Sequence, residues 1–194
     1  MKRPGLVALV ALFAAVGARA ASEPPPPPNV DVSRAAGTQS EVSIAADPRH
    51  ADILLAGSND YELATERVYS STDGGRSWSS KPGPPLVDGL PGEASDPAVG
   101  IDERGRQYFG FIQVSQSDEQ GHGRSWLVVA SRSGPNGSWH TTRVPGADGA
   151  DKPTLSVSGT HAYIAWAREG DWVRPETPLN DILLSSSADG GRTW

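Results

Sequence analysis

The sequence predicts an all-β protein assembled from consecutive small antiparallel sheets, as in a β-propeller, and three observations lead there. An octapeptide, Ser71-Thr72-Asp73-Gly74-Gly75-Arg76-Ser77-Trp78, returns almost unchanged as Ser187-Ala188-Asp189-Gly190-Gly191-Arg192-Thr193-Trp194, with a degenerate, longer copy at residues 131–139 between them. Short β-branched and aromatic runs, bounded by Gly, Asp, Asn and Pro, recur in the same order from one copy to the next. No segment sustains a helical period, and 22 glycines and 17 prolines are spread too evenly for a long helix to survive. Three or four strands in a unit of about 55 residues is the spacing of a propeller blade.

The chain begins with Lys2 and Arg3, an apolar stretch over 6–16 and the small-x-small triplet Ala18-Arg19-Ala20. That pattern reads as a secretory signal over 1–20, cleaved after Ala20, which sends the chain to the periplasm or the exterior. The apolar stretch is too short for a helical membrane span, which needs about 20 residues, and no later stretch is as apolar. Glu23 and the five prolines at 24–28 follow, and 21–37 reads as a stiff polyproline linker.

From there the sequence divides into units at about 39–80, 93–145 and 150–194. Strands are expected at 41–45, 53–57, 67–71 and 78–80 in the first, and at 97–101, 107–114, 125–131 and 139–144 in the second. The third offers 154–157, 161–167 and 182–187. A second marker supports this division: Asp96-Pro97-Ala98-Val99-Gly100-Ile101-Asp102 is echoed by residues 151–157 and, loosely, by residues 41–47. Three such units do not close a ring, and the third stops before a strand matching 140–144. The expectation is therefore the N-terminal part of a larger propeller.

Composition removes several function classes. With 23 acidic against 17 basic side chains and a net charge of −6, the chain lacks the clustered cations that nucleic-acid binding requires. There is no cysteine, so disulfides, thiolate metal sites and a cysteine nucleophile are excluded. His50, His122, His140 and His161 share no metal-ligand spacing and read as surface residues. Asn136-Gly137-Ser138 fits a glycosylation acceptor and matters only in a host that modifies exported proteins. The polar loop at 115–123 has no phosphate-cradle pattern.

The octapeptide suits a tight hairpin turn residue by residue. Asp73 and Asp189 can accept backbone N–H groups of their own turn, the paired glycines can take positive φ, and Trp78 and Trp194 can bury apolar area beneath it. Ser71, Asp73, Gly75 and Trp78, with Ser187, Asp189, Gly191 and Trp194, are thus read as structural residues. These segments resemble the Asp boxes, or BNR repeats, of the sialidase superfamily, and the resemblance covers about 39–194. It implies a six-bladed propeller of four-stranded sheets, with the boxes on the rim away from a central site.

In the family that site uses an arginine triad, a tyrosine nucleophile with a glutamate, and an aspartate acid/base. The first arginine belongs to an Arg-Ile-Pro motif that this chain lacks; Ser40 and Ser95 stand at the matching places and cannot pair bidentately with a carboxylate. Asp60 falls near the family's acid/base aspartate and is the one catalytic candidate, although a solvated loop aspartate is the simpler reading. Glu41, Asp96 and Asp151 open the innermost strand of each unit. Their convergence at one mouth would form an acidic rim suited to calcium or to the hydroxyls of a glycan. Three functions stay open: a non-catalytic module binding glycans or a cell-surface protein, an exo-α-sialidase or other glycoside hydrolase with residues beyond Trp194, and a protein-interaction propeller.

Overall fold

The computed structural model describes residues 28–63, 65–115, 123–168 and 181–194. The signal at 1–20, most of the proline linker and His122 lie outside the described residues. Eleven strands are present there and no helix, in three antiparallel meanders. The first sheet is β1 (Gln39–Ala46), β2 (Leu54–Asp60), β3 (Arg67–Ser71) and β4 (Ser79–Pro82), in that spatial order. The second repeats it with β5 (Glu93–Ile101), β6 (Gln107–Val114), β7 (Ser125–Arg132) and β8 (His140–Asp148). The third has β9 (Ala150–Ser158), β10 (His161–Arg168) and β11 (Asp181–Ser187). No helix of the described residues is long and apolar enough to cross a membrane.

Every expected strand is found, and the differences lie at the ends. The innermost strands start earlier than their β-branched runs suggest, because each carries one extra residue in a bulge. Ser40 faces Asn59 and Ser43 faces Gly57; likewise Ser95 faces Ile112 and Ala98 faces Gly110, while Asp151 faces Ala167 and Thr154 faces Ala165. Two residues on one strand thus oppose a single residue on its partner, which bends the strand and re-aims its side chains. β8 runs on to Asp148 because residues past Val144 continue to pair with β7, where Trp126 faces Asp148.

The sheets stack through their faces in sequence order: β1 and β2 lie against β5, and β5, β6 and β7 lie against β9. The forward face of each sheet, toward the next in sequence, carries small residues where the following sheet carries large ones. A Cβ added at Gly57 would fall 2.6 Å from the Phe109 ring, and one at Gly110 would fall 2.7 Å from the Ile164 Cδ1. Glycine at these two strand positions therefore permits the close approach of the sheets. One apolar cluster, with Leu55, Val68, Phe109 and Phe111, fills the first junction; a second, with Leu127, Val129, Ile164 and Trp166, fills the next. Three blade-like sheets packed in this manner make a partial β-propeller, and they do not close on themselves.

Candidate functional site

The three bulges mark one end of the stack. Among the described residues, four that are not glycine hold positive φ, and three of them are Glu41 at 53°, Asp96 at 60° and Lys152 at 44°. A side chain with a Cβ enters this region at a cost, so its recurrence at the same bulge of three sheets identifies a shared geometry. The sequence alignment of Asp151 with Glu41 and Asp96 is corrected here: the equivalent residue is Lys152. The second unit reads Asp96-Pro97 and the third Asp151-Lys152-Pro153, so counting back from the proline makes Lys152 the counterpart of Asp96. Asp151 stands one residue earlier, half-buried, and still bonds to Asp96.

Lys152 joins the other two bulges. Its Nζ donates to Glu41 Oε1 at 2.7 Å and to Asp96 Oδ1 at 2.9 Å. Asn59, near the end of β2, locks the pair from behind: its Nδ2 donates to Glu41 Oε2 at 3.2 Å, and its Oδ1 accepts the Asp96 N–H at 2.9 Å. Burial favours the neutral form of Asp96, but hydrogen bonds with Glu41 and then Lys152 outweigh it and hold the carboxyl below its usual range. Lys152 is raised, chiefly by its hydrogen bond to Glu41, and so stays charged. Exposed Tyr61 stands beside them, its hydroxyl 3.2 Å from Ser40 Oγ.

Asp60 ends β2 and is buried, not a solvated loop residue. Its Oδ2 pairs with Arg67 Nε and its Oδ1 accepts the Glu62 N–H at 2.9 Å. Burial pushes toward the acid form, yet Arg67 and the Glu62 amide prevail and the pKa is lowered, so Asp60 is an anion at neutral pH.

Glu66 differs from all of these. It is 0 % exposed, and neither carboxyl oxygen has a hydrogen-bond partner. Burial first, then the negative charges of Asp96, Glu41 and Asp60, push its pKa from 4.5 up to about 8. It is therefore a neutral acid at pH 7. Strand register explains its place: Val68, Val129 and Leu184 pair with Gly57, Gly110 and Ala165, so Glu66 occupies the position of Leu127 and Ile182 in the other sheets.

Sequence reasoning found Glu41 and Asp96 but missed Lys152, Asn59, Tyr61, Arg67 and Glu66. The residue before Pro153 was the signal for Lys152, since its neighbour's equivalent, Asp96, also precedes a proline. No group of three His, Asp or Glu side chains among the described residues is placed to hold a metal ion. His50, His140 and His161 are exposed.

The octapeptides lie at the opposite end of the sheets. Ser71 Oγ donates to Asp73 Oδ1 at 2.8 Å and accepts Gly75 N–H at 2.9 Å, while Ser77 donates through N and Oγ to the two Asp73 oxygens at 2.9 and 2.6 Å. Ser187, Asp189, Gly191 and Thr193 repeat this set at 2.8, 2.9, 3.0 and 2.6 Å. Gly75 and Gly191 take φ of 84° and 82°, which the turn requires. Hydrogen bonds from Ser77 and Ser71 hold the Asp73 carboxyl down at about 2. Trp78 Nε1 closes the first turn on Gly75 O at 3.0 Å. In the degenerate copy no aspartate is present; there Arg132 lies 4.2 Å above the Trp139 ring. A cavity of about 560 Å³ opens at this end, between the second octapeptide and the β1–β2 and β5–β6 turns, away from the bulges. Its Asp47, Asp102 and Asp189 are committed to their own turns, and the recurring bulge geometry makes the other end the better candidate site.

The chain is similar in fold to solved sialidases. Trypanosoma rangeli sialidase in complex with the inhibitor DANA matches 81% of the chain at 14% identity with a TM-score of 0.38, and a Hadza microbial sialidase matches 80% at 12% with 0.43. A mutant of the Trypanosoma rangeli enzyme displaying trans-sialidase activity matches 81% at 14% and 0.37. The chain spans 37% of the length of the Trypanosoma rangeli proteins and 45% of the Hadza one. No protein-family model and no curated protein matches it.

Proposed function

We propose that the chain is part of an exported, sialidase-like propeller that binds glycans at the mouth formed by Glu41, Asp96 and Lys152, without carrying hydrolysis itself. The observation that carries the reading is the recurrence of one strained bulge in all three sheets, with Lys152 holding two carboxylates side by side. Fixed carboxylate oxygens accept sugar hydroxyls, Lys152 donates, and the exposed Tyr61 ring offers an apolar face to a pyranose. Calcium bridging a sugar to these carboxylates has less support than direct hydrogen bonding, because Lys152 already supplies the positive charge between them.

Two features weigh against hydrolysis in this chain. Asp60 is held as an anion by Arg67 and has no proton to give a leaving group near pH 7. Glu66 keeps its proton but is enclosed between sheets, out of reach of a bound sugar. Export rests on the leader at 1–20.

Isothermal titration of the chain with lactose, maltotriose and sialyllactose tests the proposal. Binding to at least one, weakened about tenfold or more by Asp96→Asn on removal of a charged hydrogen-bonding group, is the expected result. Absence of binding to all three counts against it, and release of fluorophore from a 4-methylumbelliferyl sialoside would favour the hydrolase reading.

A further inference from the structure

The cavity of about 560 Å³ at the octapeptide end is walled by turns from all three sheets: the β1–β2 turn at 47–53, the β5–β6 turn at 102–106 and the second octapeptide. Close approaches join these walls. A Cβ added at Gly105 would lie 3.4 Å from Asp47 Oδ2, and one at Gly190 would lie 2.7 Å from Arg106 Nε. The cavity thus lies within the two junctions that the three sheets already form.

Each of these turns is built around an aspartate whose oxygens serve the turn itself. Asp47 Oδ1 accepts the Arg49 and His50 N–H groups at 2.8 and 3.0 Å. Asp102 Oδ1 accepts those of Arg104 and Arg106, both at 2.9 Å, and its Oδ2 accepts the Tyr108 hydroxyl at 3.1 Å. Asp189 Oδ1 accepts the Arg192 N–H at 3.0 Å, and its Oδ2 the Thr193 hydroxyl at 2.6 Å. In every case an arginine follows two to four residues after the aspartate, so the carboxylate fixes its backbone and leaves its guanidinium unpaired.

The guanidiniums of Arg49, Arg104, Arg106 and Arg192 consequently line the cavity without a carboxylate partner among the described residues. Arg49 and Arg192 reach only backbone carbonyls, of Glu103 at 3.4 Å and of Asp189 at 3.2 Å. Glu103, which is exposed, is the one lining carboxylate that accepts no hydrogen bond among the described residues. Formal charges of the lining balance, these four cations standing against Asp47, Asp102, Glu103 and Asp189. Hydrogen-bonding capacity does not balance: the donors are open and most acceptors are taken.

The geometry points to a second binding site in this cavity, for a small hydroxylated molecule that carries one oxyanion: a carboxylate, a sulfate ester or a phosphate. A planar guanidinium fork pairs with two oxygens of such a group at once. The balanced lining favours one anionic group over a polyanion, and Ser133 and Thr160 offer hydroxyls to the rest of the ligand. The volume falls in the range of small-molecule sites. This site lies at the opposite end of the sheets from Glu41, Asp96 and Lys152 and does not depend on binding there.

Amide chemical-shift titration of the exported chain with glucuronate, glucose 6-sulfate and glucose 6-phosphate, and with glucose as the uncharged control, tests the assignment. At least one acid is expected to give saturable shifts at Gly105, Gly134, Gly190 and Arg192 with a Kd of about 1 mM or below, and glucose none there. The acid that binds most tightly identifies the oxyanion. Arg104→Gln, at an exposed side chain with no hydrogen bond to lose among the described residues, should weaken binding about tenfold. Glu103→Gln removes the opposing charge and should strengthen it about threefold. The amide spectrum itself reports that each variant folds. Absence of saturation by all three acids at about 20 mM overturns the inference. Shifts gathered at Asn59, Asp96 and Lys152 alone, an affinity unchanged in Arg104→Gln, or one lowered by Glu103→Gln, the response of a cation site, also overturn it.

Discussion

Replacing Glu66 by leucine raises the stability of the fold at neutral pH and removes most of its pH dependence between about 4.5 and 8. The carboxyl is enclosed at the junction of the first two sheets, at the place that Leu127 and Ile182 take in the others. Its pKa is about 8 when folded, against 4.5 for the free group. A carboxyl whose pKa is raised on folding binds its proton more tightly in the folded state. Its stability contribution is therefore greatest below pH 4.5 and declines as pH rises toward 8. Taking 1.36 kcal/mol per pH unit, the group costs about 1 kcal/mol at pH 5, about 3 kcal/mol at pH 7 and about 4 kcal/mol at pH 8. Urea unfolding of wild type at pH 5 and pH 8 should differ by about 3 kcal/mol from this group, and the Glu66→Leu chain should lose that difference. Wild-type and variant stabilities running parallel across this range would refute the burial argument.

Three other perturbations bear on separate parts of the structure. Gly110→Val drives a branched side chain into Ile164 Cδ1, 2.7 Å from the added Cβ, and should cost about 1–3 kcal/mol by urea unfolding. Lys152→Met removes the cation from Glu41 and Asp96, so a carbon-detected NMR titration should show the Asp96 pKa rising; an unchanged value contradicts the ion-pair geometry. Asp73, lowered from 3.8 to about 2, stabilises its turn above pH 3.8 and loses that contribution as pH falls through 2. Thermal melts of Asp73→Ala should accordingly show a shallower acid slope than wild type between about pH 4 and 2.

The repeats made the fold legible, because the octapeptide turn is built almost wholly from contacts within itself. Ser71, Asp73, Gly75 and Trp78 satisfy one another over eight residues, and such local closure leaves a readable pattern. The site was only partly legible. Glu41 and Asp96 are visible as acidic residues opening strands, but the Asp151 alignment missed by one residue because it matched acidic side chains, whereas the shared bulge position in the second and third units is the residue before Pro97 and Pro153 and is filled there by an aspartate and a lysine. Lys152 and Asn59 matter through pairings across 56 and 37 residues, respectively, to Asp96, which no local pattern encodes. Glu66 was hidden for the opposite reason. A glutamate before a strand reads as solvated, and only the stacking of one sheet on the next encloses it.

Chemical-shift mapping of the amide spectrum during a lactose or maltotriose titration addresses the convergence of the three bulges most directly. Saturable shifts should gather at Asn59, Tyr61, Asp96 and Lys152, residues far apart in sequence that one sugar can touch together. Shifts confined to the turns at Asp73 and Asp189, or scattered without saturation, would contradict the placement of the binding site.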